Sequence, residues 1–214
     1  MNFNLNNIPL KTRNLLQDLS GQKFMKNFYL AGGTAIALFF KHRQSQDLDF
    51  FTEKSFSSSN LIKNLKTLGI FQGFKNSEDT LTGSLNEVKV SFFSLPYGLL
   101  NKPIKYGNLR IADIIDLALM KILAISDRGT KRDFIDLYFI CQKVKPLDEF
   151  LFLFQKKFGK YDYNIHHIIK SLTYFDDAEK DKMPKMHISV EWNEIKKFFT
   201  EEKPKLARKF LIGF

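Results

Sequence analysis

A chain of 214 residues, 44% hydrophobic and using Phe 23 times, can bury one substantial aromatic-rich core or two smaller ones, and its formal charge of +10 favours polyanionic partners such as RNA or DNA. A single cysteine, Cys141, excludes an intramolecular disulfide framework and a cysteine-based metal site. The opening segment MNFNLNNIPLKTRNLL has no charged stretch followed by an apolar one, and no run approaches membrane-spanning length, so a cytoplasmic protein with no membrane partner is expected.

Apolar positions Leu10, Leu15, Leu16 and Leu19 predict one or two helices between Leu5 and Lys26, leading into a short buried strand over Phe28 to Ala31. Gly32 and Gly33 then form a turn, and Thr34 opens a brief apolar helix. A second strand follows in which carboxylates interrupt the hydrophobes. Asp47 and Asp49 are two apart and share one face, while Leu48 and Phe50 pack on the other. Two like charges side by side repel, and oxygen ligands at this spacing suit Mg2+ or Mn2+. The glycines let backbone approach a phosphate closely, and the helix that follows aims free N–H groups at it.

Ser57 to Ser59 cap a helix striped by Leu61, Leu65 and Leu68 and stopped by Gly69. Three strands are expected at Ile70 to Lys75, Thr80 to Leu85 and Glu87 to Leu95, extending the sheet begun by the aspartate strand. Pro96 to Asn108 reads as a loop between an N-terminal α/β half, residues 1–100, and a C-terminal helical half, residues 101–214. Asp113 and Asp116 start a helix running to about Ser126, acidic at its positive end and apolar on nearly every side.

Lys121 interrupts that helix. A buried ammonium needs an anion, and lysine is a compact charge suited to a triphosphate; the alternative is a snorkelling surface lysine. Arg128 and Gly129 mark a turn, after which a helix from Lys131 carries Asp133 and Asp136 on one face, with Arg132 spaced to pair with Asp136. From Pro146 the chain is helical. His166 and His167 face different ways and chelate poorly, and residues 176–181 form an acidic cluster expected in a solvated loop. Trp192, Ile195, Phe198 and Phe199 recur at helical spacing as core, and Lys203 to Lys209 reads as a solvated basic tail.

The order strand, Gly-Gly-Thr, helix, Asp-x-Asp on a strand resembles the nucleotidyltransferase superfamily, and LAGGTAIALFFKHRQSQDLDFF is similar to its AbiEii/AbiGii toxin branch. That branch pairs these motifs with a downstream K-x-x-A-x-x-x-R-x-x-x-R-D-x-x-D signature, spelled here by Lys121, Ala124, Arg128, Arg132, Asp133 and Asp136. The resemblance, carried by residues 28 to 142, implies an α+β fold, a nucleotidyltransferase-like mixed sheet with flanking helices followed by a C-terminal helical bundle that completes the active site. It implies Asp47 and Asp49 for metal and catalysis, Gly32, Gly33 and Thr34 for phosphate, Lys121 and Arg128 for nucleotide, and Asp133 or Asp136 near the reacting centre. Arg43 and Ser45 would flank the acidic strand at the nucleotide. Many superfamily members carry a third carboxylate on a later strand, and the matching inward position in VKVSFF is Ser91; Glu87 is only a distant substitute.

The expected activity is therefore Mg2+-dependent transfer of an NMP from an NTP to an acceptor hydroxyl. The resemblance adds an RNA acceptor such as tRNA, and a toxin of a toxin–antitoxin or phage-defence pair with a cognate antitoxin. Two other readings fit the same residues: transfer to a small molecule, as in antibiotic-modifying relatives, and a catalytically silent nucleotide- or RNA-binding module in which Ser91 marks a decayed metal site.

Overall fold

The computed structural model describes residues 3–161 and 163–212. The chain divides into two compact units, Met1–Asp113 and Ile114–Phe214. The first is an α+β unit. Its helix α1 (Leu10–Ser20) buries Thr12, Leu15, Leu16 and Leu19 on one face and ends at Gly21. Strand β1 (Tyr29–Ala31) runs directly into α2 (Gly32–Phe40), which Lys41 closes in the left-handed region at φ 52°. In β2 (Leu48–Thr52) burial alternates as the sequence period requires: Leu48, Phe50 and Thr52 point into the core, Asp49 and Phe51 to the other face.

Helix α3 (Ser58–Lys66) is capped by Ser57, whose hydroxyl accepts from Asn60 N at 3.3 Å. Strands β3 (Phe71–Ser77), β4 (Thr80–Leu85) and β5 (Val88–Ser94) follow. The β4–β5 turn consists of Asn86 and Glu87 at φ 49° and 64°, a two-residue hairpin that needs positive φ at both positions. Glu87 is therefore a turn residue and not the first residue of β5 as the sequence suggests. Its carboxylate pairs with Lys11 at that turn, and the structure does not bring it to the Ser91 position where the third acid is missing.

The segment read as a linker contains β6 (Ile104–Tyr106), and β7 (Leu109–Ile111) completes a hairpin around Gly107, at φ 60°. The sheet has seven strands in the order β3-β4-β5-β2-β1-β7-β6. β2 is parallel to β5 and antiparallel to β1, and β7 is parallel to β1. One cross-strand row, Ile111, Leu30, Phe50, Phe92 and Leu81, forms the core, with Phe50 stacked on Phe92 at 5.0 Å and Phe28 edge-on to Phe92 at 5.2 Å. Each such ring contributes about 2–3 kcal/mol by burial.

The second unit is helical: α4 (Ile114–Asp127), α5 (Lys131–Lys143), α6 (Leu147–Phe158), α7 (Ile165–Ser171), α8 (Asp176–Lys180) and α9 (Trp192–Ala207). Phe134 of α5 is its centre, 5.3 Å from Phe199, 6.0 Å from Trp192 and 5.1 Å from Phe175. The acidic cluster expected in a loop is the short helix α8, and Asp181 just beyond it accepts from Lys131 N at 3.0 Å. The basic end is not a free tail: Lys203 Nζ donates to Thr173 Oγ1 at 3.0 Å, Leu206 is buried, and Lys209 pairs with Asp148 at 2.6 Å. A buried ion pair, Asp116 with Lys157 at 2.5 Å, joins α4 to α6 and accounts for Asp116 better than the helix dipole does. Among the described residues, no helix is long and apolar enough to cross a membrane.

Candidate active site

Strand β1 delivers the backbone to the site at Ala31, which pairs with Asp49 of β2. The chain then bends at Gly32, at φ 69°, and α2 begins at once. A Cβ at Gly32 would stand 2.6 Å from Asp49 Oδ2, and one at Gly33 would collide with Arg43 Nη2 and approach Ser45 Oγ to 3.2 Å. Gly32 is required by its positive φ, and the side-chain ends of Asp49 and Arg43 occupy the space that Cβ atoms at Gly32 and Gly33 would take. The N–H groups of Gly32, Gly33 and Thr34 have no acceptor within their own helix, so the start of α2 presents donors beside Asp49.

The loop between α2 and β2 is tied to that helix start. Thr34, fully buried, donates its hydroxyl to Asp47 O at 2.5 Å and lies 2.9 Å from Ser45 Oγ. Its side chain is therefore a fastener for the aspartate strand, and the group it offers an anion is its backbone N–H. Arg43 is buried, with Nη1 donating to Gln44 O at 3.2 Å. Asp47, Asp49, Gly32, Gly33, Thr34, Arg43 and Ser45 are in this way gathered at one end of β2.

Across the sheet, Asp49 stands in register with Ser91 of β5, the position at which the sequence lacks a third acid. Ser91 is buried, and Lys89, on the same face, brings its ammonium to 3.9 Å from Asp47 Oδ2. The sequence reading passed over Lys89, although it shares the parity of Ser91 and its position was legible on that ground. Among the described residues, no cluster of three or more His, Cys, Asp or Glu could hold a metal ion. Asp49 on β2 and Asp47, one residue before the strand begins, are oxygen ligands of the type that would suit Mg2+ or Mn2+ completing its shell with water and substrate phosphates, and do not form an all-protein cage.

The signature residues of the helical unit form their own cluster. Lys121 Nζ lies 2.8 Å from Asp133 Oδ1 and 2.7 Å from Asp136 Oδ2, with both carboxylates fully buried. Arg128 Nε is 3.3 Å from Asp133 Oδ2, and Thr130 Oγ1 donates to the same oxygen at 2.6 Å. Burial alone would raise the Asp133 pKa, but the charges of Lys121 and Arg128 and these hydrogen bonds outweigh it and bring it to about 2. The anion that a buried Lys121 requires is thus supplied by α5, and its burial does not call for a triphosphate. Asp136 is committed to Lys121, while Arg132, one turn before it, is exposed. Arg128 keeps 63% of its side chain in solvent and is the exposed cation of this cluster.

A family model described as nucleotidyl transferase AbiEii toxin, type IV TA system, matches residues 14–98 and 89–211. The chain belongs to the AbiEii toxin family. Its membership makes it a nucleotidyltransferase of a toxin–antitoxin family, with a nucleotide as substrate and a cognate antitoxin as partner. An uncharacterised protein of Aquifex aeolicus (strain VF5) is 38% identical over 195 residues, covering 87% of this chain and 91% of that protein. Two solved structures share the fold of this AbiEii-family chain. JHP933 from Helicobacter pylori has a TM-score of 0.54 at 17% identity, covering 94% of this chain and 96% of its own. MenT4, a nucleotidyltransferase toxin from Mycobacterium tuberculosis H37Rv, has a TM-score of 0.53 at 14% identity, covering 92% and 87%. The mixed sheet with flanking helices and a helical second half is thus the nucleotidyltransferase toxin fold.

Proposed function

We propose that this chain transfers an NMP from an NTP to the hydroxyl of an RNA acceptor, tRNA among them, using Mg2+ or Mn2+ held by Asp47 and Asp49. The observation that carries the reading is the crowding of Gly32 by the Asp49 carboxylate and of Gly33 by the Arg43 guanidinium, at a helix start that turns its N–H groups outward. Hydrogen-bond donors for phosphate and oxygen ligands for a cation are adjacent there, as a metal–triphosphate complex needs. When bound, the metal neutralises charge on the triphosphate and polarises the reacting phosphoryl group.

The residues of the chain supply positioning. The α2 N–H groups with Arg43 and Ser45 hold the phosphates, while Thr34 fixes the backbone at Asp47, where the chain enters the strand that carries Asp49. The acceptor oxygen bonds to the α-phosphorus as the bond to pyrophosphate breaks, and the fixed donors and charges stabilise that transition state. On the strength of the family signature, Arg128 enters the proposal as a cation offered to the nucleotide, and Lys121, Asp133 and Asp136 as the buried ion cluster that positions it. In the cell the reading is that of a cytoplasmic toxin in a toxin–antitoxin or phage-defence pair.

Ser91 opposite Asp49 favours one other reading, a silent nucleotide- or RNA-binding module whose metal site has decayed. NTP binding measured with and without Mg2+ separates the two. The transferase reading expects affinity to fall at least tenfold on chelation, and equal affinity in both conditions rejects it. Growth arrest on induction, abolished by Asp47→Ala, is the matching result for a toxin.

A further inference from the structure

Strand β5 runs parallel to β2, with Val90 beside Leu48 and Ser91 beside Asp49. One step earlier the same register brings Lys89 level with Asp47, and its ammonium lies 3.9 Å from Asp47 Oδ2. Side chains alternate along β5: Val88 and Val90 are buried, and Lys89 between them is exposed on the opposite face, the one that carries Ser91 and Asp49. A fixed cation thus stands beside the aspartates, two residues from the serine that occupies the position of a third acid.

The number of metal ions such a site holds follows from its charges. Two divalent ions about 3.5–4 Å apart repel, and a site for both needs carboxylates enough to offset them. The sheet is poor in such groups. Strands β3, β4 and β5 contain no Asp or Glu, Glu87 pairs with Lys11, and Ser91 brings an oxygen without a charge. In the helical unit Asp133 and Asp136 are held by Lys121. Against the two carboxylates of Asp47 and Asp49 stand two positive side chains, Lys89 and Arg43, whose guanidinium lies against Gly33. A cation that arrives with a triphosphate brings its own negative charge. A second, bare dication would add two positive charges to carboxylates that are already balanced.

We infer that Lys89 takes the place of a second metal ion: its ammonium neutralises Asp47 and limits the site to one divalent cation, the one that accompanies the nucleotide. This rests on the nucleotidyl-transfer reading of the site. A carboxylate has two oxygens, so Asp47 can meet Lys89 with Oδ2 and the nucleotide's cation with Oδ1. Lys89 is in this way a positioning residue, acting through Asp47 and through the charge of the site.

The test counts Mn2+ by equilibrium dialysis of the full chain, with and without a non-hydrolysable NTP analogue. Wild type is compared with Lys89→Arg, Lys89→Gln and Lys89→Glu, and urea unfolding of each variant controls for the fold. Wild type and Lys89→Arg should retain one Mn2+ per bound analogue, and Lys89→Glu, in which a third carboxylate replaces the ammonium, should retain two. Without nucleotide, Lys89→Gln should bind Mn2+ about five- to tenfold more tightly than wild type, because a positive charge beside one ligand no longer repels the ion. Lys89→Arg should keep the wild-type affinity. Two ions in wild type, one in Lys89→Glu, or an Mn2+ affinity of Lys89→Gln within twofold of wild type would overturn the inference while leaving the transfer reading intact, since the analogue still binds with metal. A wild-type chain that binds the analogue and no Mn2+ would reject both.

Discussion

Replacing Lys121 by Met keeps the side-chain volume and removes the ammonium that Asp133 and Asp136 share, both buried at 1% and 0% side-chain exposure, while Arg128 and Thr130 stay on Asp133. Breaking a buried ion pair by removing one partner costs about 3–5 kcal/mol. A second route gives the same size: if the variant relieves the pair by protonating one aspartate, an ordinary carboxyl must take a proton at pH 7, about three pH units above its pKa, at about 1.4 kcal/mol each. The expected destabilisation is therefore about 4 kcal/mol at pH 7, falling to about 1 to 2 kcal/mol at pH 5 as protons become available. The protein's one tryptophan, Trp192, packs on Phe134 in the same helical unit, so its fluorescence during urea unfolding reports that unit directly. A Lys121→Met protein within 1 kcal/mol of wild type at pH 7, or a difference that ignores pH, would refute the buried triad.

Three further outcomes are expected. Because the folded pKa of Asp133 is about 2 and its unfolded value 3.8, its contribution of about 2 kcal/mol is complete above pH 4 and disappears as pH falls from 4 towards 2; an acid titration of Trp192 fluorescence should show Asp133→Asn with a shallower acid limb, and superimposable curves would count against it. Gly32→Ala forces a Cβ to 2.6 Å from Asp49 Oδ2 at positive φ, which should lower stability by about 1–2 kcal/mol and NTP affinity at least tenfold; thermal unfolding and nucleotide binding check this, and wild-type values in both would contradict the close approach. Phe92→Ala removes the ring shared by Phe28 and Phe50 and should cost about 3–5 kcal/mol in urea unfolding, a loss below 1 kcal/mol being incompatible with its place in the core.

Periodicity carried most of what was readable from residues alone. The spacing of Asp47 and Asp49 against Leu48 and Phe50 predicted both carboxylates on one face of a strand; β2 begins at Leu48, so the register places Asp49 alone, opposite the Ser91 that the same parity argument singled out. The Gly-Gly pair was legible as a turn at a helix start, but the close approach of Asp49 to Gly32 and of Arg43 to Gly33 is brought about by tertiary structure. Strand β6 is three residues long, too short to carry a period, so the first arm of a hairpin of the sheet looked like part of a linker. Lys121 shows the other limit. Its need for an anion and the shared face of Asp133 and Asp136 were both visible, yet only the packing of α4 on α5 joins them into one ion cluster.

Transfer itself is the most direct measurement. Purified wild-type protein and Asp49→Ala are incubated with each α-labelled NTP, Mg2+ and total RNA, and label incorporated into acceptor is counted. The account predicts metal-dependent incorporation by the wild type, reduced by several orders of magnitude in Asp49→Ala while the variant remains folded. Equal incorporation by the two proteins would contradict it.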